Sequence, residues 1–361
     1  MPKRHICMIS AAAAVAVPLG AAVCGAVAVP SAQAQTIKVT TVNANNTKPV
    51  VGVNLYVKDN YSLKDVTEWG ERDLKYIADT LKLKAVAIDW DYNVPSDGSD
   101  VVETSRTRTP TIADLTELTN VAKSYGLRVE YRALFAINDS DSRDGSIVPR
   151  HIGAWLDSLL STETPALKLA EDEHVSEFVA GTEMASVDRS AQWGGFFKKA
   201  AKIYKGSLSY ASWGGRSDPD SGGFFDKHRV DLPISDLGAT AYPPIDLTRN
   251  ASVAELTKAW KHFLTAHTPE SVLRRTAIDE IGIPALSGSY HDPWQWDNLS
   301  GNADPTVQAR WFEAACDAVT AEHMRGIYFW SEPLNDDPAK PFKSLVGFLG
   351  RPESLNAIKS C

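Results

Sequence analysis

From residue 50 to the C-terminus, short apolar runs alternate with segments whose apolar residues recur every three to four positions, and the alternation repeats eight times. Apolar runs without polar alternation suit strands buried on both faces, the condition of a parallel sheet covered by helices. Strands are expected at Val50–Tyr56, Ala85–Trp90, Arg128–Ile137, Glu177–Glu183, Leu208–Trp213, Leu237–Tyr242, Thr276–Ile281 and Gly326–Trp330. Helices are expected at Glu71–Leu83, Thr111–Tyr125, Ala191–Tyr204, Val253–Thr265 and Val307–His323, with a helical region that begins at His151–Leu160 and a last short helix from Glu353. In Ala191–Tyr204 the residues Trp193, Phe196, Phe197, Ala200, Ala201 and Tyr204 fall at helical spacing, and Gly206 ends the run. Eight such units predict a closed (β/α)8 TIM barrel, an α/β fold, in one domain over 50–361. The stretch between Trp213 and Leu237 lacks a helical pattern and is rich in Gly, Asp and Ser, so it reads as a long surface loop.

Residues 1–34 read as a signal peptide: Lys3 and Arg4, then an Ala/Val-rich run, then Ala32-Gln33-Ala34 with small residues where a signal peptidase cuts. Pro18 and Gly20 interrupt the run, which argues against an uncleaved membrane anchor. Residues 35–49 form an extended polar lead-in. The reading implies secretion to the extracellular space or cell envelope, with no membrane association after cleavage. Losing the two basic residues moves the formal charge from −8 to −10, which disfavours nucleic acid and anionic membrane surfaces as partners. Cys7 and Cys24 leave with the leader. Cys316 and Cys361 remain, and in an oxidising compartment they are expected to pair, tying a late helix to the C-terminus; a buried free Cys316 is the alternative.

In a (β/α)8 barrel the chemistry sits at the C-terminal ends of the strands. Here those ends are polar and aromatic: Asn54 and Tyr56 on the first; Asp89, Trp90 and Asp91 on the second; Arg132 on the third; Glu183 on the fourth; Trp213 on the fifth; Tyr242 on the sixth; Asp279 and Glu280 on the seventh; Trp330 and Glu332 on the eighth. Carboxylates on strands four and seven face each other across such a barrel. Glycoside cleavage needs that pair: one group protonates the leaving oxygen, and the other attacks the anomeric carbon or activates water. Burial and mutual repulsion are expected to raise one of the two pKa values. Aromatic faces around an acidic pair suit stacking of neutral sugar rings, so the expected partner is a polysaccharide or oligosaccharide. No cofactor is expected. His-Glu-x-x-His, paired histidines, Gly-x-Ser-x-Gly and Gly-rich phosphate loops are all missing from the sequence.

The sequence also resembles a known family. Gly181-Thr182-Glu183 after an apolar strand looks like the acid/base motif of glycoside hydrolase family 113, β-mannanases of the (β/α)8 clan A. The stretch from Trp193 to Trp213, with Tyr204-Lys205-Gly206 and Ser209-Tyr210-Ala211, resembles the segment that follows it there, and Asp279-Glu280-Ile281-Gly282 is similar to the nucleophile strand. The likeness spans roughly residues 50–350. It implies that Glu183 is the acid/base, Glu280 the nucleophile, Tyr242 a contact of the nucleophile and Trp330 the floor of the sugar subsite beside the cleaved bond. It implies retention of anomeric configuration, with the carboxyls about 5–5.5 Å apart. Most of the clan has Asn before the acid/base; Thr182 stands here, which changes the usual partner of the sugar 2-hydroxyl.

Competing readings accompany each residue. Glu183 could cap a following helix, and Glu280 could pair structurally with Arg274, Arg275 or Arg132. Side chains alternate along a strand, so only one of Asp279 and Glu280 is expected to face the lumen, and the resemblance favours Glu280. Asp89 and Asp91 share a side and would bind sugar hydroxyls or cap a loop. Arg132 would orient the nucleophile or balance buried carboxylates. Trp90 would contact substrate, and Trp213 would line the cleft or pack in the core; Trp294 and Trp296 would form distal subsites or pin their loop. Asn54 would contact substrate, and Glu332 reads as a surface ion-pair former. At the level of function, a clan A glucanase, galactanase, arabinofuranosidase or transglycosylase would use the same strand-end residues, and a non-catalytic carbohydrate-binding barrel would have lost one carboxylate.

Overall fold

The computed structural model describes residues 48–139, 146–184, 186–188, 190–214, 232, 234–266, 268–340 and 344–361. The expected leader, most of the lead-in and most of the loop between Trp213 and Leu237 lie outside them.

Eight parallel strands close into a barrel: β1 (Val50–Val57), β2 (Ala85–Val94), β4 (Arg128–Ile137), β5 (Glu177–Thr182), β6 (Ser207–Gly214), β7 (Leu237–Ala241), β8 (Thr276–Ile281) and β9 (Gly326–Pro333). β1 pairs with both β2 and β9, which completes the ring. A two-residue strand β3 (Glu103–Thr104) lies antiparallel against the end of β2, so the fourth and seventh barrel strands are β5 and β8. Between the strands run α1 (Leu63–Lys75), α2 (Ile112–Ser124), α3 (Ile152–Asp172), α4 (Trp193–Ile203), α5 (Val253–Thr265), α6 (Glu270–Leu273) and α7 (Pro305–Ala321), and α8 (Pro352–Ser360) ends the chain. The alternation of apolar runs therefore produces the predicted (β/α)8 barrel.

Local chemistry sets several helix starts. Thr111 and Asp114 form a reciprocal capping box on α2, as Ser252 and Glu255 do on α5. α1 begins eight residues before the expected Glu71, because the Ser62 hydroxyl accepts the Asp65 amide as its N-cap. α3 continues from the expected start to Asp172, with Pro165 inside it. A mid-helix proline costs about 3 kcal/mol. Trp155, Leu156, Leu159, Ala166, Leu167 and Ala170 all bury on that helix, at roughly 1.5–3 kcal/mol for each large apolar side chain, which outweighs the cost.

Strand parity divides the interior in two. Val53, Leu55, Val57, Val86, Ile88, Trp90, Val129, Tyr131 and Phe135 point outward into one apolar core under the helices. The intervening residues face the lumen: Ala85, Ala87 and Tyr328 form a small apolar cluster there, with charged side chains nearer the mouth. Cys316 of α7 bonds to Cys361, 45 residues on, so the expected pairing is present.

Candidate active site

Glu280 ends β8. The Tyr242 hydroxyl, just past β7, donates to its Oε1 at 2.5 Å, and Arg132 Nη1 of β4 stands 2.8 Å from its Oε2, a charge contact without hydrogen-bond alignment. Arg132 is fully buried, and its Nη2 donates to Asp89 Oδ2 at 2.7 Å. One guanidinium thus joins two lumen carboxylates. Burial pushes the Asp89 carboxyl up to about 7, against the opposing pull of Arg132. Burial, and then the charge of Glu280, hold the Tyr242 hydroxyl well above its ordinary value, so it stays a donor.

Glu183 follows the last residue of β5 and has φ +56°, a left-handed conformation that costs a non-glycine residue about 1–3 kcal/mol and clusters at functional sites. The neighbouring strand β6 holds it there: its amide donates to the Ala211 carbonyl at 2.9 Å, and the next amide, Met184, donates to the Tyr210 hydroxyl at 2.9 Å. It caps no helix, since α4 starts ten residues later behind Gln192. The charge of Glu183 adds to the upward push on the Tyr242 hydroxyl, after burial and Glu280.

Aromatic rings surround this group. Trp330 of β9 packs on Tyr56, with centroids 5.1 Å apart, and on the Arg132 guanidinium at 5.2 Å. Trp213 stacks on Tyr242 at 5.7 Å, and Trp296 meets the same ring edge-on at 5.8 Å. Trp296 also lies over Gly282, where a Cβ would stand 2.7 Å from its ring; only glycine leaves that space. Trp294 shares the loop and is half-buried. A cavity of about 160 Å³ opens beside Trp296 and Trp330, lined further by Ser331, Pro333, Asp336 and Ser344. A larger cavity of about 460 Å³, between Arg249 and Arg310, shares no residue with the carboxylate group.

Four expectations need correction. Trp90 is not in the cleft: Val86, Ile88 and Trp90 share outward parity, and its ring packs against Tyr131 and Phe178 under the helices. Asn54 faces the lumen but is fully buried, and its Nδ2 donates to the Asp279 carbonyl at 3.1 Å rather than to open space. Glu332 is buried, not on the surface. Between β1 and β9 the register passes from Val53–Phe329 to Leu55–Glu332, so an extra residue in β9 turns Glu332 outward under α1. Burial, then the neighbouring Asp73, hold its carboxyl well above the usual range. Finally, Asp279 and Glu280 both face the lumen. Ile278 and Ile281 both pack in the outer core, three positions apart, and the register on β7 passes from Ala239–Ile278 to Thr240–Glu280. Strand β8 therefore bulges at Asp279.

Asp91 stays at the rim of the lumen, where the Tyr56 hydroxyl donates to its Oδ2 at 2.7 Å and Arg108 lies at 3.4 Å. Tyr56 was visible as a strand-end aromatic. Arg108, Asp336 and Ser344 come from loops without periodicity, and nothing in the sequence pattern marks them.

The model of Glycoside Hydrolase Family 113 matches residues 62–342, most of the chain. Among solved structures, a GH113 β-1,4-mannanase in complex aligns at 19% identity, covering 87% of this chain and 98% of its own, with TM-score 0.69. The GH113 β-mannanase AaManA from Alicyclobacillus acidocaldarius, in complex with ManMIm, aligns at 18%, covering 87% and 97%, with TM-score 0.68. A GH5_18 protein from Streptomyces cattleya in complex with GlcNAc aligns at 13%, covering 87% and 79%, with TM-score 0.54. No curated protein matches. The barrel, the strand-end acids and the family match over most of its length agree: this chain belongs to glycoside hydrolase family 113.

Proposed function

We propose that the protein is a retaining glycosidase of β-1,4-mannan-type chains, with Glu280 as nucleophile and Glu183 as acid/base. The observation that carries the reading is the setting of Glu280: near the end of its strand, one carboxylate oxygen meets Arg132 and the other accepts from Tyr242. In the first step Glu280 attacks the anomeric carbon while Glu183 gives its proton to the departing glycosidic oxygen. In the second, Glu183 takes a proton from water as the water oxygen displaces Glu280, and the anomeric configuration is retained. The Arg132 and Tyr242 contacts orient the carboxylate for in-line attack. Trp330, with Trp213 and Trp296 around Tyr242, supplies ring faces for the sugar, and Asp91 supplies hydroxyl acceptors at the rim. The choice of mannan follows the two solved GH113 structures named above, one a β-1,4-mannanase and the other a β-mannanase. The leader reading makes the enzyme secreted. Among the described residues no helix is long and apolar enough to cross a membrane.

Purified protein assayed on β-1,4-mannan and a panel of other polysaccharides tests the substrate. Glu280→Ala and Glu183→Ala are each expected to lose several orders of magnitude in kcat while keeping the wild-type circular dichroism spectrum. Activity of Glu280→Ala near wild type would reject the nucleophile. Proton NMR of the first-formed anomer tests retention, and early appearance of inverted sugar would reject it.

A further inference from the structure

The bulge in β8 needs a cause, because the side-chain period of a strand would otherwise place Glu280 among the helices. On the β9 side, the register passes from Ile278–Ile327 to Ile281–Phe329, three steps against two. A bulge of this kind leaves a peptide group without its ladder partner. The carbonyl at that point, Asp279 O, accepts from Asn54 Nδ2 at 3.1 Å, across 225 residues of sequence. Asn54 is fully buried on β1, in the lumen-facing register shared with Gly52 and Tyr56.

The other half of the bulge is the Asp279 side chain. Its carboxyl fills a hollow over Gly238 of β7, where a Cβ would stand 1.8 Å from Oδ2. Neither carboxyl oxygen has a hydrogen-bond partner, and the side chain is fully buried. Burial, and then the charges of Glu130 and Glu177, hold it neutral well above the ordinary range, so it adds no second charge beside Glu280.

We propose that Asn54, Gly238 and Asp279 are positioning residues: together they hold the bulge that turns the Glu280 carboxylate out of the helix layer and onto Arg132 and Tyr242. Asn54 satisfies the freed carbonyl, Gly238 provides the hollow, and Asp279 occupies it. None of the three touches substrate. The inference rests on Glu280 being the nucleophile.

The test is kinetic. Asn54→Ala, Asp279→Ala, Asp279→Asn and Gly238→Ala are compared with wild type and Glu280→Gln on β-1,4-mannan and on an aryl β-mannobioside, with thermal midpoints recorded for each. A misplacement of about 1 Å costs on the order of 100-fold. Asn54→Ala and Asp279→Ala should therefore lose about that factor in kcat, with KM within about threefold of wild type because the sugar-facing rings are untouched. The isosteric, neutral Asp279→Asn should restore most of the loss. If Gly238→Ala does not fold, the other variants still decide. Folded Asn54→Ala and Asp279→Ala proteins with wild-type kcat, or with the loss confined to KM, would overturn the inference while an inactive Glu280→Gln upholds the nucleophile. Wild-type activity in Glu280→Gln would instead remove the reading beneath it.

Discussion

At the scale of single residues, the site is a small set of charges whose partners limit what each can do. Arg132 has no exposed surface and two carboxylates, Asp89 and Glu280, within reach of its guanidinium. Tyr242 completes the set from the other side, and its raised pKa keeps the proton on the phenol throughout the neutral range. A hydrogen bond to a charged group contributes roughly 1.5–3 kcal/mol. Tyr242→Phe is therefore expected to lower kcat about 10- to 100-fold, with little change in thermal midpoint, measured on the polysaccharide that the wild type cleaves. A variant as fast as wild type would show that the hydroxyl does not assist Glu280. The identities of these residues were legible because strand ends are where such a barrel keeps its chemistry. Their pairing is not written in any local pattern: the family resemblance implied the Tyr242 contact and Arg132 stood among three possible partners of Glu280, but Arg132, Tyr242 and Glu280 are brought together only by closure of the ring.

At the scale of elements, register breaks mark the strands that carry the site. β5, β8 and β9 all have an irregularity near the mouth, and they bear Glu183, Glu280 and Trp330. Regular parity, by contrast, holds along β1 and β2, which is why Asp89 and Asp91 share the lumen side while Trp90 does not. The helices hold a different device. Glu163 of α3 is fully buried with both carboxyl oxygens unpartnered, and desolvation holds its pKa well above the ordinary 4.5. Such a group is neutral in the fold. Its stabilising effect is complete below pH 4.5 and is lost as pH rises toward the folded-state pKa, at up to about 1.4 kcal/mol per pH unit. Glu163→Gln removes that dependence. Urea unfolding at pH 4 and pH 8 should show the variant gaining on wild type at the higher pH. An identical pH slope in both proteins would mean that Glu163 is not held neutral by burial.

At the scale of the molecule, the barrel closes through β1 and the chain end is tied back by the Cys316–Cys361 bond between α7 and the residue after α8. A closed loop of this length corresponds to about 4 kcal/mol of chain entropy removed from the unfolded state. Cys361→Ser should therefore lower the unfolding free energy by an amount of that order and the urea midpoint with it, while kcat at room temperature stays at the wild-type value because the bond lies in the helix layer. A midpoint unchanged by the substitution would show that packing of α8 alone secures the end.

The sequence by itself determined the class of fold and the strand ends to inspect, with Glu183 at one and the pair Asp279 and Glu280 at another; only the family resemblance chose Glu280. Those properties follow from local periodicity and from the rule that parallel barrels are functional at one rim, and both are written in consecutive residues. The tertiary structure decided the rest. α3 continues through Pro165 because the apolar face beyond it finds a surface to bury against. Glu332 goes under α1 rather than into solvent, and Asp279 and Glu280 share the lumen, because a bulge is a relation between neighbouring strands that one strand's pattern does not contain. The choice between Asp279 and Glu280 looked like a question of parity. In the fold both face the lumen, and the groups that meet Asp279 there, the Asn54 amide and the backbone of Gly238, lie 225 and 41 positions away in the chain.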